Sequence, residues 1–339
     1  MSRLQSTPLS SGQWVRVRDA SEIAASLDAE GKLGGVPFMP EMLRFCGQRL
    51  RVHRRAGKTC VEGHGLRRMA DTVLLQGSRC DGSAHDGCQR GCMVFWKEVW
   101  LQPETDEAML AVADQVSDRA ARAKLAALPT RTGDRYTCQS TALAQATSPL
   151  SKWSFGLIGA DVRLGELSVG GAMGIVWRTL ANLVRRKLGL HEIGALAGAG
   201  ASEPAPALGL RPGDWVRVRA ADQIEATLGP NGKNRGLTFE PEMGGYVGEV
   251  FQVGQPVEKI ILEETGRMVA LRDTVTLNGL NCKGTCVKNC PRANPLFWRE
   301  AWLERAEPVA RPAAQPPGRT TGAPRGNAPA PSGPWPTPA

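Results

Sequence analysis

The sequence lacks any long hydrophobic run, and this absence is the first limit on what the chain does. Its longest apolar run, VGGAMGIVW at residues 169–177, is far below the roughly 18 residues that span a bilayer. The opening residues, MSRLQSTPLSSGQWVRVR, also lack the apolar segment of roughly seven or more residues found in a secretory signal. We therefore expect a cytoplasmic protein without a membrane partner.

Catalytic fingerprints are missing as well. The chain contains no glycine-rich phosphate loop, no dinucleotide-binding G-x-G-x-x-G and no H-E-x-x-H. Its net charge of +9 comes from Lys and Arg residues scattered along the chain, which is more typical of a soluble surface than of a nucleic-acid footprint. Single-stranded nucleic acid remains an alternative partner, which a steep loss of affinity with salt would reveal.

What the chain does have is a long internal repeat. Residues 12–42 match residues 213–243 without a gap, from the WVRVR pentapeptide that both contain to the shared PEM. Matches around DTV and FW-E-WL follow in both halves. Each copy is about 90 residues long, which is the size of a domain and longer than a solenoid repeat. The sequence therefore predicts a duplicated domain.

Each copy reads as a small β structure. WVRVR alternates apolar and basic residues with the period of a half-buried strand, and QRLRVHRR, DTVLLQG and VFWKEVWLQ are also strand-like. The opening strand, meander and final strand resemble SH3-like barrels, including the one appended to nitrile hydratase β chains. The set WVRVR, PFMPEM, DTV and FW-E-WL also resembles a family of uncharacterised bacterial proteins with duplicated modules. Neither resemblance implies a catalytic activity.

The expected fold class is α+β, with two mostly-β SH3-like modules joined by a helical middle segment. Helix formers are frequent after Thr105, and a second helix is expected at residues 171–189. We expect the apolar face of that helix to pack in a core or domain interface; it contains Met173, Val176, Trp177, Leu180 and Val184. The expected boundaries are 1–10 (N-terminal arm), 11–104 (first module), 105–194 (helical middle), 195–210 (flexible linker), 211–306 (second module) and 307–339 (disordered Pro-rich tail).

Nine cysteines in a chain expected to be cytoplasmic favour metal binding over disulfides. Closely spaced thiolates gather around one ion at low cost in chain entropy. Six of the nine form two such groups: the first cysteine cluster is Cys80, Cys88 and Cys92, and the second cysteine cluster is Cys282, Cys286 and Cys290.

Each cluster needs a further ligand. Cys46 is the expected fourth ligand of the first cluster. The second cluster is completed either by Cys138 or by a water or substrate at an open position. Cys60 is left over, and His64 or His85 is able to replace a thiol of the first cluster.

Zinc is the expected metal, because tetrahedral thiolate sites suit it and a structural ion would staple a small barrel. An iron–sulfur cluster is the alternative, since three cysteines with one free iron position fit the second cluster. Unligated thiols or facultative disulfides are a third reading.

Three carboxylates recur in both copies and would be catalytic candidates if they met in a pocket. We interpret them as structural residues of turns and strand ends, and the paired tryptophans as core and rim. The carboxylate pairs are Glu41 with Glu242, Asp71 with Asp273, and Glu98 with Glu300.

The sequence as a whole favours a metal-stapled binding or scaffold protein whose modules recognise a protein or peptide partner. The alternative is a metalloenzyme or enzyme subunit, for instance in secondary metabolism, with an open metal position at the second cysteine cluster. The sequence indicates no oligomeric state.

Overall fold

The computed structural model describes residues 8–104, 115–151, 154–199 and 207–308. Most of the expected N-terminal arm and Pro-rich tail, and the start of the helix expected after Thr105, lie outside these ranges. Within them, no helix combines the length and apolar character that crossing a membrane requires.

The first module is a five-stranded antiparallel sheet with the strand order β8-β7-β4-β1-β9. The alternation in WVRVR has the expected effect, because Val15 and Val17 are fully buried while Arg16 lies between them at the surface side. The elements are β1 (Trp14–Val17), α1 (Ala20–Ser26), β2 (Lys32–Leu33), β3 (Val36–Pro37), β4 (Arg49–Arg55), β5 (Lys58–Val61), β6 (Gly65–Arg68), β7 (Thr72–Arg79), β8 (Met93–Lys97) and β9 (Leu101–Pro103), with 3₁₀ turns at Pro40–Phe45 and Glu98–Trp100.

The middle segment is largely helical. Its elements are α2 (Gln115–Ala126), β10 (Arg131–Thr132), β11 (Arg135–Tyr136), α3 (Gln139–Ala146), β12 (Ser148–Pro149), α4 (Gly156–Arg163) and α5 (Val169–Lys187).

The second module repeats the first sheet, with the strand order β20-β19-β16-β13-β21. The expected α+β class is therefore confirmed, with two curled antiparallel sheets of the same topology. The elements are β13 (Trp215–Val218), α6 (Ala221–Glu225), β14 (Lys233–Asn234), β15 (Leu237–Thr238), β16 (Val250–Pro256), β17 (Lys259–Ile261), β18 (Met268–Ala270), β19 (Thr274–Asn281), β20 (Pro295–Arg299) and β21 (Leu303–Arg305), with 3₁₀ turns at Met243–Tyr246, Thr285–Val287 and Glu300–Trp302.

Tryptophans form the centre of both cores, as the sequence predicts. Trp96 and Trp100 are fully buried and pack edge to face, with ring centroids 6.5 Å apart. Phe38 packs edge to face on Trp100 at 5.9 Å, and Phe239 repeats this contact on Trp302 at 5.2 Å. Such pairs contribute about 0.5 to 1.5 kcal/mol each beyond the area that they bury.

The middle segment completes the core of the first module as well as connecting the two sheets. Leu125 of α2 and Leu143 of α3 are buried in that core. Gln139 fastens α3 to the sheet, because its amide accepts a hydrogen bond from Phe95 N (2.7 Å) and donates to Phe95 O (2.8 Å) and Pro37 O (3.1 Å). The start of α3 is thereby held against β8.

Helix α5 differs from expectation. Its apolar face was expected to pack in a core or interface, yet Met173 and Trp177 are 68% and 66% exposed, and Leu180 and Val184 are exposed beside them. The helix packs instead through another face, where Asn182 Oδ1 accepts a hydrogen bond from Ile193 N at 2.9 Å. Ile175 and Asn182 are the buried residues of the helix, and the apolar stripe faces outward.

Candidate metal and thiol site

A loop of the same shape follows the third strand of each five-stranded sheet along the chain, between β7 and β8 and between β19 and β20. Both loops carry the pattern C-x-G-x5-C-x-R. Its glycine has a left-handed backbone, and a Cβ at this position would lie only 2.1 Å from the carbonyl oxygen of the second cysteine of the pattern, so no larger residue fits. The pattern consists of Cys80, Gly82, Cys88 and Arg90 in the first module and of Cys282, Gly284, Cys290 and Arg292 in the second.

The first two cysteines of the first cluster, Cys80 and Cys88, therefore correspond to the first and third of the second, Cys282 and Cys290. Cys80 N donates to Cys92 O at 2.9 Å, and Cys282 N donates to Asn294 O at 2.8 Å. The structural counterpart of Cys92 is thus Asn294. Cys286 matches an alanine of the first loop. The pattern aligns the two loops without a gap in the sequence, and the shared loop geometry confirms which residues correspond.

The first loop borders a cavity of about 30 Å³, which is room for roughly two water molecules. Cys138 lies here because α3 begins directly after it and is held against β8. The sequence suggests Cys138 as a ligand of the second cluster, whereas in the structure it lies beside the first. The polar and thiol lining consists of Cys80, His85, Cys88, Arg90, Cys92, Cys138, Gln139, Ser140 and Arg292.

The remaining cysteines lie elsewhere. Cys46, expected beside the first cluster, is buried in the first module's hydrophobic core and does not line this cavity. Burial, acting against the charge of nearby Arg122, raises the pKa of its thiol to about 11. Cys282 and Cys286 lie beside Glu242, where burial and the carboxylate raise the pKa of both thiols. Cys46 therefore lies outside the cavity that Cys80, Cys88, Cys92 and Cys138 line.

Among the described residues, one group of three side chains has potential metal-binding atoms all within 4.8 Å of one another: Glu41, Cys80 and His85. Glu41 Oε1 lies 3.0 Å from Cys80 Sγ and 2.9 Å from His85 Nδ1. A tetrahedral zinc site with bonds of 2.0 to 2.3 Å separates its donors by about 3.3 to 3.8 Å. Side-chain shifts of less than about 1 Å would create that geometry.

The surroundings of this group suit a bound cation. His85 Nε2 lies 3.1 Å from Thr137 O, the backbone-carbonyl contact that commonly orients a metal-binding histidine through its other nitrogen. Glu41 Oε2 is buried and has no hydrogen-bond partner in the part of the chain that the structure describes. A buried carboxylate oxygen without a partner is costly, and a cation would satisfy it.

Charge is already organised within the group. Burial raises the pKa of Glu41, but the hydrogen bond and charge of His85 outweigh this and leave its pKa below the ordinary value. Burial lowers the pKa of His85, and Glu41 more than reverses this. Burial and the Glu41 carboxylate raise the pKa of the Cys80 thiol, so metal binding would have to displace its proton.

The second module does not repeat this group. Glu242 accepts hydrogen bonds from the cysteine loop of its own module, from Lys283 N (2.7 Å), Thr285 Oγ1 (2.7 Å) and Cys286 N (3.3 Å). Val287 occupies the loop position of His85, since both donate their backbone N–H to the loop glycine. The second module therefore lacks the imidazole and the free carboxylate oxygen.

Between the modules, each cysteine loop docks on a hairpin of the other. Cys60 N donates to Cys290 Sγ at 3.2 Å, and Ile261 N donates to Cys88 Sγ at 3.3 Å. The arginines repeat the exchange, since Arg292 Nη1 donates to Cys60 O and Arg90 Nη1 to Ile261 O, both at 2.9 Å. This reciprocal contact relates the two modules by an approximate two-fold axis.

The two halves of this contact differ in one side chain. Position 60 is a cysteine, whereas its counterpart at 261 is an isoleucine. Cys60 Sγ and Cys290 Sγ are consequently 3.3 Å apart. Burial raises the pKa of Cys290, but the hydrogen bonds from Cys60 and from the backbone of Arg292, together with the Arg292 charge, outweigh it and lower the pKa to about 7.

The other shared carboxylates have structural contacts. Asp71 and Asp273 both have φ of 48°, so they occupy turn positions with left-handed backbone. Glu98 pairs with Arg55 at 2.6 Å. Glu300 accepts hydrogen bonds from three consecutive backbone N–H groups of residues 208–210 and is buried. These four carboxylates do not line the cavity.

Sequence reasoning named Glu41 as a shared residue and His85 as a substitute ligand but did not join them. It missed Arg90 and Arg292 entirely, although the C-x-R ending of the loop pattern was a usable signal. His64, the other substitute ligand, is exposed and contacts Glu62 O at 3.0 Å.

Comparison with protein-family models, curated proteins and solved structures finds no match to this chain. Functional inference therefore depends on the site itself.

Proposed function

We propose that this protein is a cytoplasmic, metal-stapled binding scaffold. In this proposal its two modules are SH3-like barrels, a single zinc ion is held by Glu41, Cys80 and His85, and helix α5 recognises a protein partner. The observation that carries the metal site is the convergence of the buried Glu41 and His85 and the partly buried Cys80 around a carboxylate oxygen that has no hydrogen-bond partner among the described residues.

The donor set favours zinc over the alternatives. Zinc accepts sulfur, imidazole and carboxylate ligands together, whereas magnesium and calcium prefer oxygen alone and iron–sulfur clusters are held mainly by thiolates. Glu41 lies in the turn at Pro40–Phe45, whereas Cys80 and His85 lie in the cysteine loop between β7 and β8. An ion there would hold the cysteine loop against the turn that contains Glu41.

Metal analysis tests the site directly. Metal-free protein titrated with Zn²⁺ should bind one tightly held ion per chain, and Cys80→Ser should abolish this binding. The matched control is Cys282→Ser at the equivalent loop position of the second module, which should keep it. Equal loss in both variants, or tight binding that survives Cys80→Ser, would contradict the assignment.

The proposed partner surface is the exposed stripe of α5. The exposed stripe includes methionine and tryptophan, both enriched at protein interfaces. Arg185, Arg186 and Lys187 lie in the last turn of the helix. The stripe and this basic end fit an apolar groove with an acidic rim on another protein.

A photo-crosslinking amino acid placed at Met173 tests the partner. In cells it should capture a defined protein, and capture should be lost when Trp177→Glu is added and kept when Val99→Glu, an exposed position far along the chain, is added instead. Purified protein should remain monomeric in sedimentation and should not bind vesicles of anionic lipid. Self-association through α5 or vesicle binding that Trp177→Glu removes would refute a protein partner.

The alternative function is a metalloenzyme, and the three-ligand site favours it, because catalytic zinc ions typically have three protein ligands and an open position. The adjacent cavity holds only about two water molecules, which restricts a substrate to a very small molecule. Zinc that binds azide or another small anion with a change in its coordination would support this alternative.

A further inference from the structure

Two thiols from different modules meet at the reciprocal contact. Cys60 lies on β5 of the first module, and Cys290 lies in the cysteine loop of the second. Their sulfurs are 3.3 Å apart, and Cys60 N donates a hydrogen bond to Cys290 Sγ. A disulfide has an S–S length of about 2.05 Å, so the sulfurs need to approach by roughly 1.3 Å.

The backbone around the pair is held in place. Arg292, two residues after Cys290, donates to Cys60 O at 2.9 Å and forms a buried ion pair with Glu263 at 2.7 Å. These bonds fasten the loop to β5 whatever the oxidation state of the sulfurs. The hydrogen bond with Cys290 and burial raise the pKa of Cys60, whereas burial of Cys290 is outweighed by the hydrogen bond from Cys60 and the Arg292 charge, which lower the pKa of Cys290. Cys290 is therefore the thiol that more readily forms thiolate, the reactive form in disulfide chemistry.

The other half of the contact provides an internal comparison. Cys88 occupies the place of Cys290 and accepts the equivalent hydrogen bond from Ile261 N at 3.3 Å. The side chain opposite it is an isoleucine, so no bond is able to form there. The chain therefore contains one docking contact with a thiol pair and one without.

We propose that Cys60 and Cys290 are a redox modification site that forms a reversible disulfide between the two modules. With hydrogen peroxide as oxidant, the Cys290 thiolate attacks one peroxide oxygen, the O–O bond breaks, and the departing hydroxide takes up the proton that Cys290 released, which gives a sulfenic acid on Cys290 and one water. Cys60 sulfur then attacks the Cys290 sulfur, the S–O bond breaks, and hydroxide leaves with the Cys60 thiol proton as the second water. Two thiols lose two electrons and one peroxide is reduced to two waters.

The disulfide would turn a non-covalent docking contact into a covalent one. It would close a loop of more than two hundred residues, and cross-links that close long loops restrict the unfolded chain most. Oxidation should therefore stabilise the docked arrangement of the modules.

Peptide mapping tests this site in the full-length protein. Reduced protein is treated with hydrogen peroxide, free thiols are alkylated, and the digest is analysed without reductant. A cross-linked peptide joining positions 60 and 290 should appear and should vanish after dithiothreitol. The thermal midpoint of the oxidised protein should rise by about 5 °C or more.

Variants make the outcome specific. Cys60→Ser should remove the cross-link and the thermal shift, and Cys46→Ser should keep both. Ile261→Cys should create a second cross-link, between positions 88 and 261, which tests the geometry even if Cys60→Ser folds poorly. The proposal fails if peroxide leaves positions 60 and 290 alkylated or separately oxidised, if position 290 cross-links to another cysteine, or if bound zinc protects Cys290.

Discussion

Single residues decide where the two copies of the module differ in hydrogen bonding. At the tryptophan core, Trp96 Nε1 donates to Ser78 Oγ at 3.0 Å. Leu280 occupies the equivalent position in the second module, and Trp298 Nε1 is buried without a hydrogen-bond partner among the described residues. The same fold thus accepts an unsatisfied indole in one copy and satisfies it in the other.

We expect Ser78→Ala to lower the free energy of unfolding by about 1 to 3 kcal/mol, because it leaves a buried N–H of Trp96 without an acceptor. Urea denaturation measures this. As a comparison, Trp298→Phe should cost less than Trp96→Phe, since the indole N–H of Trp298 has no bond to lose. Equal costs for the two tryptophan variants would contradict the assignment.

The Glu41–His85 pair should give metal-free protein a distinctive pH dependence. The pKa of Glu41 is below its ordinary 4.5, so its contribution is present above that pH and is lost on acidification. The pKa of His85 is above its ordinary 6.5, so its contribution is present below that pH and is lost as the pH rises through the higher value. The pair should therefore stabilise the fold most between about pH 4.5 and 6.5.

Thermal melting of the wild type and His85→Asn across this range checks the prediction, since the difference in midpoint should be largest inside the window and shrink above it. Zinc should reverse the trend, because its ligands must lose their protons and affinity falls as the pH falls. A difference that grows steadily up to pH 9 in metal-free protein would count against the ion pair.

At the scale of elements, the contact between each cysteine loop and the hairpin of the other module is the feature that holds the cavity in place. Its two arginines have different environments. Arg292 and Glu263 have side chains only 5% and 2% exposed, whereas Glu62, the nearer of the two carboxylates beside Arg90, is 48% exposed. Water therefore screens one pair and not the other.

Arg292→Ala should destabilise the protein by about 3 to 5 kcal/mol, since it removes the nearest cation of the buried Glu263 carboxylate and leaves hydrogen bonds from Glu62 N and Ser140 Oγ and a longer contact with Arg90. Arg90→Ala, the same change in the other half of the contact, should cost less, about 1 to 3 kcal/mol, chiefly for its charged hydrogen bond to Ile261 O. Urea denaturation of both variants gives the comparison. A larger loss of stability in Arg90→Ala than in Arg292→Ala would contradict this prediction.

Sequence patterns were a good guide to these elements and a poor one to their contacts. The strand at WVRVR and the strands after DTV were predicted because alternation with period two is local. The place of Cys138 was not predictable in this way, because it depends on the hydrogen bonds that Gln139 makes with a strand more than forty residues away.

For the whole molecule, the reciprocal contact couples the two modules. A third apolar cluster lies between them and contains Cys88 and Tyr136 together with Val257, Ile260 and Ile261. The middle segment adds to this coupling, since α3 is buried in the first module while Ser140 bonds Glu263 of the second at 2.7 Å. The two modules are therefore joined by direct contacts as well as by the chain between them.

We expect the modules to unfold in one cooperative transition. Trp302→Ala removes a fully buried side chain from the second core and should cost about 3 to 5 kcal/mol. It should shift the whole calorimetric transition to lower temperature instead of splitting it. Two resolved transitions, of which only one moves, would show that the modules unfold independently.

The sequence by itself determined the duplication, the strands of each copy and the tryptophans of each core, because these follow from local periodicity and from composition. The tertiary structure decided which cysteine meets which partner. Cys60 and Cys290 are 230 positions apart, and Glu41 is far in sequence from Cys80 and His85. Spacing along the chain carries no record of such meetings, since they arise only when the two sheets dock and bury their loops against each other.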